Sequence, residues 1–123
     1  MPFKTILFSL ITKVPGATGA VLADWEGETV EHCSGGDDYE VKVVGAHLAI
    51  ILNQLKDLQA RLAGEVINDA VITTADQRLV VGTVGSDYCL VLTLSRQVVA
   101  GKARFHFDEA KALLAKEIYS YDR

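Results

Sequence analysis

Apolar residues at Phe3, Ile6, Leu7, Leu10, Ile11 and Val14 recur three and four apart, which predicts an amphipathic helix over residues 3–14. Pro15 and Gly16 end it, because the residue before a proline is pushed out of the helical region. The pattern then changes to short runs suited to strands, Ala17 to Asp24 and Glu28 to Cys33, around a Glu26-Gly27 turn. A connection this short makes the pair antiparallel. A long helix is predicted next, with Asp37 as its cap, Glu40 completing a capping-box-like pair, and Gly64 as its C-terminal stop. Its core stripe runs Val41, Val44, Leu48, Leu52, Leu55, Gln59 and Leu62, with Ile51 and Leu58 on the flank. Three strands follow as a meander over Asp69 to Thr74, Arg78 to Val84 and Tyr88 to Leu94. Ala103, Phe107, Ala110, Leu114, Ile118 and Tyr121 then mark a last helix from Val99 to Ile118, with Asp108 as an alternative N-cap.

Tyr88, Leu90, Leu92 and Leu94 point to one side of their strand and Cys89, Val91 and Thr93 to the other. Both faces are mainly apolar, so the strand is covered on both sides. The expected fold is α+β, in the order α-β-β-α-β-β-β-α: a five-stranded antiparallel sheet between one long helix and two further helices. A chain of 123 residues, 50% hydrophobic, has material for one core, so residues 1–123 are expected to form a single domain.

A net charge of −4 argues against a nucleic-acid partner, since such proteins display a basic face. The longest apolar run, Ala46 to Leu52, is far shorter than the roughly 20 residues that cross a bilayer, and no secretory signal opens the chain. Neither membrane insertion nor secretion is expected; the expected location is cytoplasmic. Cys33 and Cys89 lie too far apart for a C-x-x-C motif and read as reduced structural residues.

Little on the chain promises chemistry. His32 and Cys33 are consecutive in a strand and point to opposite faces, so they cannot pair as base and nucleophile. His47 and His106 have no carboxylate or histidine at metal-ligand spacing. The "VPGATGA" segment precedes a strand, whereas phosphate loops lead into a helix. Asp37, Asp38 and Glu40 lack the regular spacing and central glycine of a calcium loop and read as a solvated helix start. No catalytic residue, metal or cofactor is expected.

Two features point to partners instead. Val43, Ala46 and Ile50 form a second apolar patch on the long helix away from its core stripe, followed by Asn53, Gln54, Asp57 and Arg61. The segment Ala70 to Thr74 is small, β-branched and uncharged, while the second strand carries Glu28, Glu31 and His32. Charges guard sheet edges, so an uncharged edge would be open to another chain, most often a twofold copy of itself.

The segments "LFSLITKVPGATGAVLADWEGETV", "VITTADQRLVVGTV" and "VVAGKARFHFDEAKALLAKEI", with the long helix between them, resemble the roadblock dynein-light-chain family, in particular its bacterial MglB-like members. The resemblance runs from Phe3 to Ile118. It implies sheet order 2-1-5-4-3, homodimers joined through the third strand and the long helix, and non-enzymatic binding of small Ras-like GTPases against the paired long helices. In the MglB-like branch it also implies faster nucleotide hydrolysis, achieved by ordering the GTPase's own residues. Two departures are Gln77 at the expected hairpin tip, where glycine is common, and the aromatic "FHFDEA" early in the last helix.

The sequence reading is therefore a homodimeric scaffold or regulator. Val43, Ala46, His47, Ile50, Gln54 and Asp57 are expected to meet the GTPase, and Ala70, Val71, Ile72, Thr73, Thr74 and Asn53 to form the dimer interface. The alternative is a small-molecule sensor or a general interaction module without a GTPase partner; in it, an apolar pocket with a few converging polar groups would be required.

Overall fold

The computed structural model describes residues 2–36, 38–98 and 100–120. Eight elements follow one another: α1 (Pro2–Lys13), β1 (Ala17–Asp24), β2 (Thr29–Ser34), α2 (Asp38–Gln59), β3 (Asp69–Thr73), β4 (Gln77–Val84), β5 (Tyr88–Ser95) and α3 (Ala100–Tyr119). The strands form one antiparallel sheet in the order β2-β1-β5-β4-β3, as expected. The central strand β5 and its neighbour β1 are buried almost throughout.

Two apolar layers flank the sheet. On one face Leu7, Leu10 and Val14 meet Ala103, Phe107, Ala110 and Leu114 over Leu22, Val80, Leu90 and Leu92. On the other, Leu48, Ala49 and Leu52 of α2 cover Val21, Val81, Cys89 and Val91. Gly45 sets how closely α2 approaches: a Cβ there would stand 2.7 Å from the Val21 side chain, so any larger residue would lift the helix off β1. The deepest stripe of α2 is thus Gly45, Leu48, Ala49 and Leu52, one step around the helix from the expected one. Ile51 and Leu58, read from the sequence as core flank, are 42% and 46% exposed.

Several boundaries differ from expectation for local reasons. α2 ends at Gln59, whose side-chain oxygen accepts from the Ile67 amide at 2.6 Å and so ties down the following loop. Gly64, with φ of +91°, lies in the turns beyond. β2 begins at Thr29, where a register shift opposite Leu22 and Ala23 marks a bulge. Thr74 leaves β3 to build the hairpin turn: its hydroxyl accepts from the amides of Asp76 and Gln77, at 3.3 and 3.1 Å. The tip is therefore Ala75-Asp76, and Gln77 is the first residue of β4, paired with Ser95, rather than the tip residue. α3 runs unbroken through Asp108, so the alternative start there is not used. The Asp37 cap, the Val99 start and the Tyr121 position lie outside the described residues.

Candidate functional site

The sheet has two open edges, β2 and β3. The third strand is thus an edge, as the family resemblance implied. Pairing of β3 with β4 is regular, with Ala70 opposite Val81 and Ile72 opposite Leu79. Bonds from the Thr74 amide to the Gln77 carbonyl and from the Thr83 amide to the Asn68 carbonyl, both 2.9 Å, fix the phase of the ladder. Antiparallel bonding alternates, so Asn68, Ala70, Ile72 and Thr74 spend their backbone groups on β4, and Asp69, Val71 and Thr73 turn theirs outward.

Charge on this edge is confined to Asp69, whose carboxylate receives Arg104 of α3 at 2.6 Å. Val71 is 46% exposed on the α3 side, while Ala70 and Ile72 lie half-buried beside the α2 layer. α2 packs mainly on β1, β2 and β5, and less on β4. Its flanks differ accordingly. One flank leans on the β1–β2 turn, with the Ile50 side chain and Ala46 carbonyl beside Gly27, and Lys56 lying 3.7 Å above the Trp25 ring. Helical geometry turns Val44, Ile51, Leu55 and Leu58 to the opposite flank, toward the β4–β3 side of the sheet.

The structure separates the sequence-predicted residues into groups. Val43 and Ala46 are half-buried, Ile50 is 39% exposed, and His47, Gln54 and Asp57 are exposed on the outer side of α2. The His47 ring lies against the Val43 carbonyl, Nδ1 to O 3.1 Å. Ala70 to Thr73 share the β3 edge, and Thr74 belongs to the turn. Asn53 is exposed on the flank it shares with Ala46 and Lys56, not on the flank of Ile51 and Leu58. The signal missed in the sequence was Ala49: counting it as core rotates the stripe and leaves Ile51 and Leu58 outside.

The remaining titratable groups hold structure. Burial, reinforced by nearby Asp24, pushes the Cys89 thiol up to about 12, which keeps it protonated and unreactive near neutrality. His106 does have a carboxylate within reach, contrary to expectation: Glu109 Oε1 lies 3.4 Å from its Nδ1 and 3.3 Å from Lys13 Nζ, joining α3 to α1. Those two partners, His106 foremost, hold the Glu109 carboxyl below the usual range. Among the described residues no group of three or more His, Cys, Asp or Glu is placed to hold a metal, and no helix is long and apolar enough to cross a membrane.

The Roadblock/LC7 domain family model matches residues 4–94, from α1 to the end of β5. This chain belongs to the Roadblock/LC7 domain family. The roadblock chain superposes on Myxococcus xanthus MglB with a TM-score of 0.87 at 17% identity, covering 98% of this chain and 97% of that one. A Roadblock/LC7 domain from Streptomyces avermitilis gives 0.80 at 23% identity, over 96% and 95% of the two chains. An MglB with a tetrameric arrangement gives 0.80 at 23% identity, over 91% and 84%. At these identities the likeness establishes the shared fold. A search of curated proteins found no significant match.

Proposed function

We propose that this roadblock chain is a non-enzymatic, cytoplasmic scaffold or regulator that pairs with a second copy along β3 and offers its α2 helices to a small Ras-like GTPase. The observation that carries the reading is the junction of an unguarded edge with an apolar helix flank. Asp69, Val71 and Thr73 turn their backbone groups outward, and Ile51 and Leu58 stand exposed on the flank of α2 turned to the β4–β3 side of the sheet. Strand pairing centred on Val71, with Asp69 opposite the Thr73 of the second copy, lets every outward group find a partner. Side-by-side α2 flanks would bury Ile51 and Leu58 in the same seam, leaving Val43, His47, Ile50, Gln54 and Asp57 on the outer surface. Membership of the roadblock family and the tetrameric arrangement of a similarly folded MglB support self-association. In this reading regulation works by positioning the GTPase's own groups, and the chain lends no catalytic side chain.

The test of the GTPase face is Ile50→Asp, a substitution at a partly exposed position outside the seam. Binding of a small Ras-like GTPase should weaken at least about tenfold in pull-down while self-association and melting temperature hold. Undiminished binding would exclude this face.

A further inference from the structure

At one end of the sheet the β1–β2 and β4–β5 turns lie side by side, because Tyr88 pairs with Asp24 on one side and with Val84 on the other. The short β4–β5 turn, Gly85-Ser86-Asp87, is gripped from both faces of the sheet. From the α3 face, the Tyr119 ring lies where a Cβ on Gly85 would stand, and Gly85 has a φ of +62°. The Tyr119 hydroxyl donates to the Asp87 carboxylate at 3.2 Å and accepts from the Asp87 amide at 3.3 Å. From the α2 face, Trp25 donates its indole N–H to the Ser86 carbonyl at 2.9 Å. These are surface hydrogen bonds, so opening them leaves both apolar layers intact.

Trp25 leads on to α2. Asp24 Oδ1 accepts from the amides of Glu26 and Glu28, each at 2.9 Å, and the Asp24 carbonyl accepts from the Gly27 amide at 3.1 Å. Braced in this way, the β1–β2 turn shifts as a unit. Its far end meets the helix closely: a Cβ on Gly27 would stand 3.0 Å from Ile50 Cδ1 and 3.2 Å from the Ala46 carbonyl oxygen. Lys56 rests 3.7 Å above the Trp25 ring, so α2 touches the turn at two levels. The contacts thus run from Tyr119 through both turns to Ile50, passing round the end of a sheet that otherwise keeps α3 and α2 apart.

We propose that Tyr119 and Trp25 are positioning residues for the outer face of α2, so that the C-terminal end of α3 sets, through the two turns, where Ile50 stands. That this face meets a GTPase rests on the function proposed above; the link from α3 to α2 does not.

The test is a double-mutant cycle on the isotopically labelled full chain, read by amide and indole chemical shifts. Tyr119→Phe keeps the ring and removes only the hydroxyl. It should shift the Trp25 indole and the amides of Gly27 and Ile50 as well as that of Asp87, whereas Lys116→Gln, at an exposed position on the same helix, should leave them unmoved. In a Trp25→Phe background, Tyr119→Phe should still shift Asp87 and no longer reach Ile50; circular dichroism and melting curves check that every variant folds. A response to Tyr119→Phe that stops at the β4–β5 turn, or one at Ile50 that is undiminished in Trp25→Phe, would overturn the link. In pull-down, a small Ras-like GTPase should bind Tyr119→Phe about threefold more weakly and Ile50→Asp more weakly still. A loss with Ile50→Asp alone would overturn the positioning role, while full shifts with undiminished GTPase binding by both variants would refute the GTPase face and uphold the link.

Discussion

At the β2 edge the outward amide of His32 is met at 3.1 Å by the side chain of Glu31, which is itself 3.7 Å from Lys4 of α1. A bulge interrupts pairing with β1, and both α1 and α2 pack against the strand. At the β3 edge the register is unbroken and the lone acidic side chain of the strand is turned to Arg104. The same chain thus guards one edge with charge, irregularity and cover, and leaves the other regular and apolar. Two edges of one sheet face the same hazard of unwanted pairing, and the unequal protection supports the proposed pairing through β3.

Proline substitution probes this contrast most strongly. Val71→Pro removes an amide that faces outward, so the β3–β4 ladder survives while self-association weakens at least about a hundredfold by sedimentation. Ile72→Pro removes an amide bonded to β4 and should instead lower unfolding stability by about 2 kcal/mol or more in urea titration. His32→Pro, at the guarded edge, should leave self-association unchanged. Equal effects at Val71 and His32 would erase the distinction between the edges.

The helix flanks extend the comparison at smaller magnitude. Ile51→Glu or Leu58→Glu should weaken self-association about tenfold or more, read by concentration-dependent light scattering, with little loss of monomer stability because both side chains are already partly in water.

The smallest effect lies remote from both edges. Glu109→Gln removes a carboxylate whose folded value is depressed by His106 and Lys13, so its stabilisation is present above the ordinary carboxylate range and is lost as pH falls through the folded value. Melting curves of wild type and variant should therefore converge on acidification, with self-association unaltered at neutral pH.

Much of this architecture was legible in the chain because period and turn chemistry agree. The α1 stripe and the apolar two-sided β5 occupy the places their patterns predicted, and β3 lies at the edge that the family resemblance implied. The errors came where small residues carry the packing. Gly45 and Ala49 bring α2 against the sheet, yet neither weighs in a count of large apolar side chains, so the buried face is rotated toward them from the expected stripe, and Ile51 and Leu58, read as core flank, are exposed. The hairpin tip was misplaced because Thr74, a strong strand former, uses its hydroxyl to hold a turn.

Amide hydrogen exchange across a dilution series tests the unguarded edge most directly. In the concentrated state the amides of Asp69, Val71 and Thr73 should be slowed together with those of Ala70 and Ile72; on dilution the first three should speed up while the latter two stay protected by β4. Fast exchange at Val71 in a sample shown to be self-associated would contradict pairing through β3.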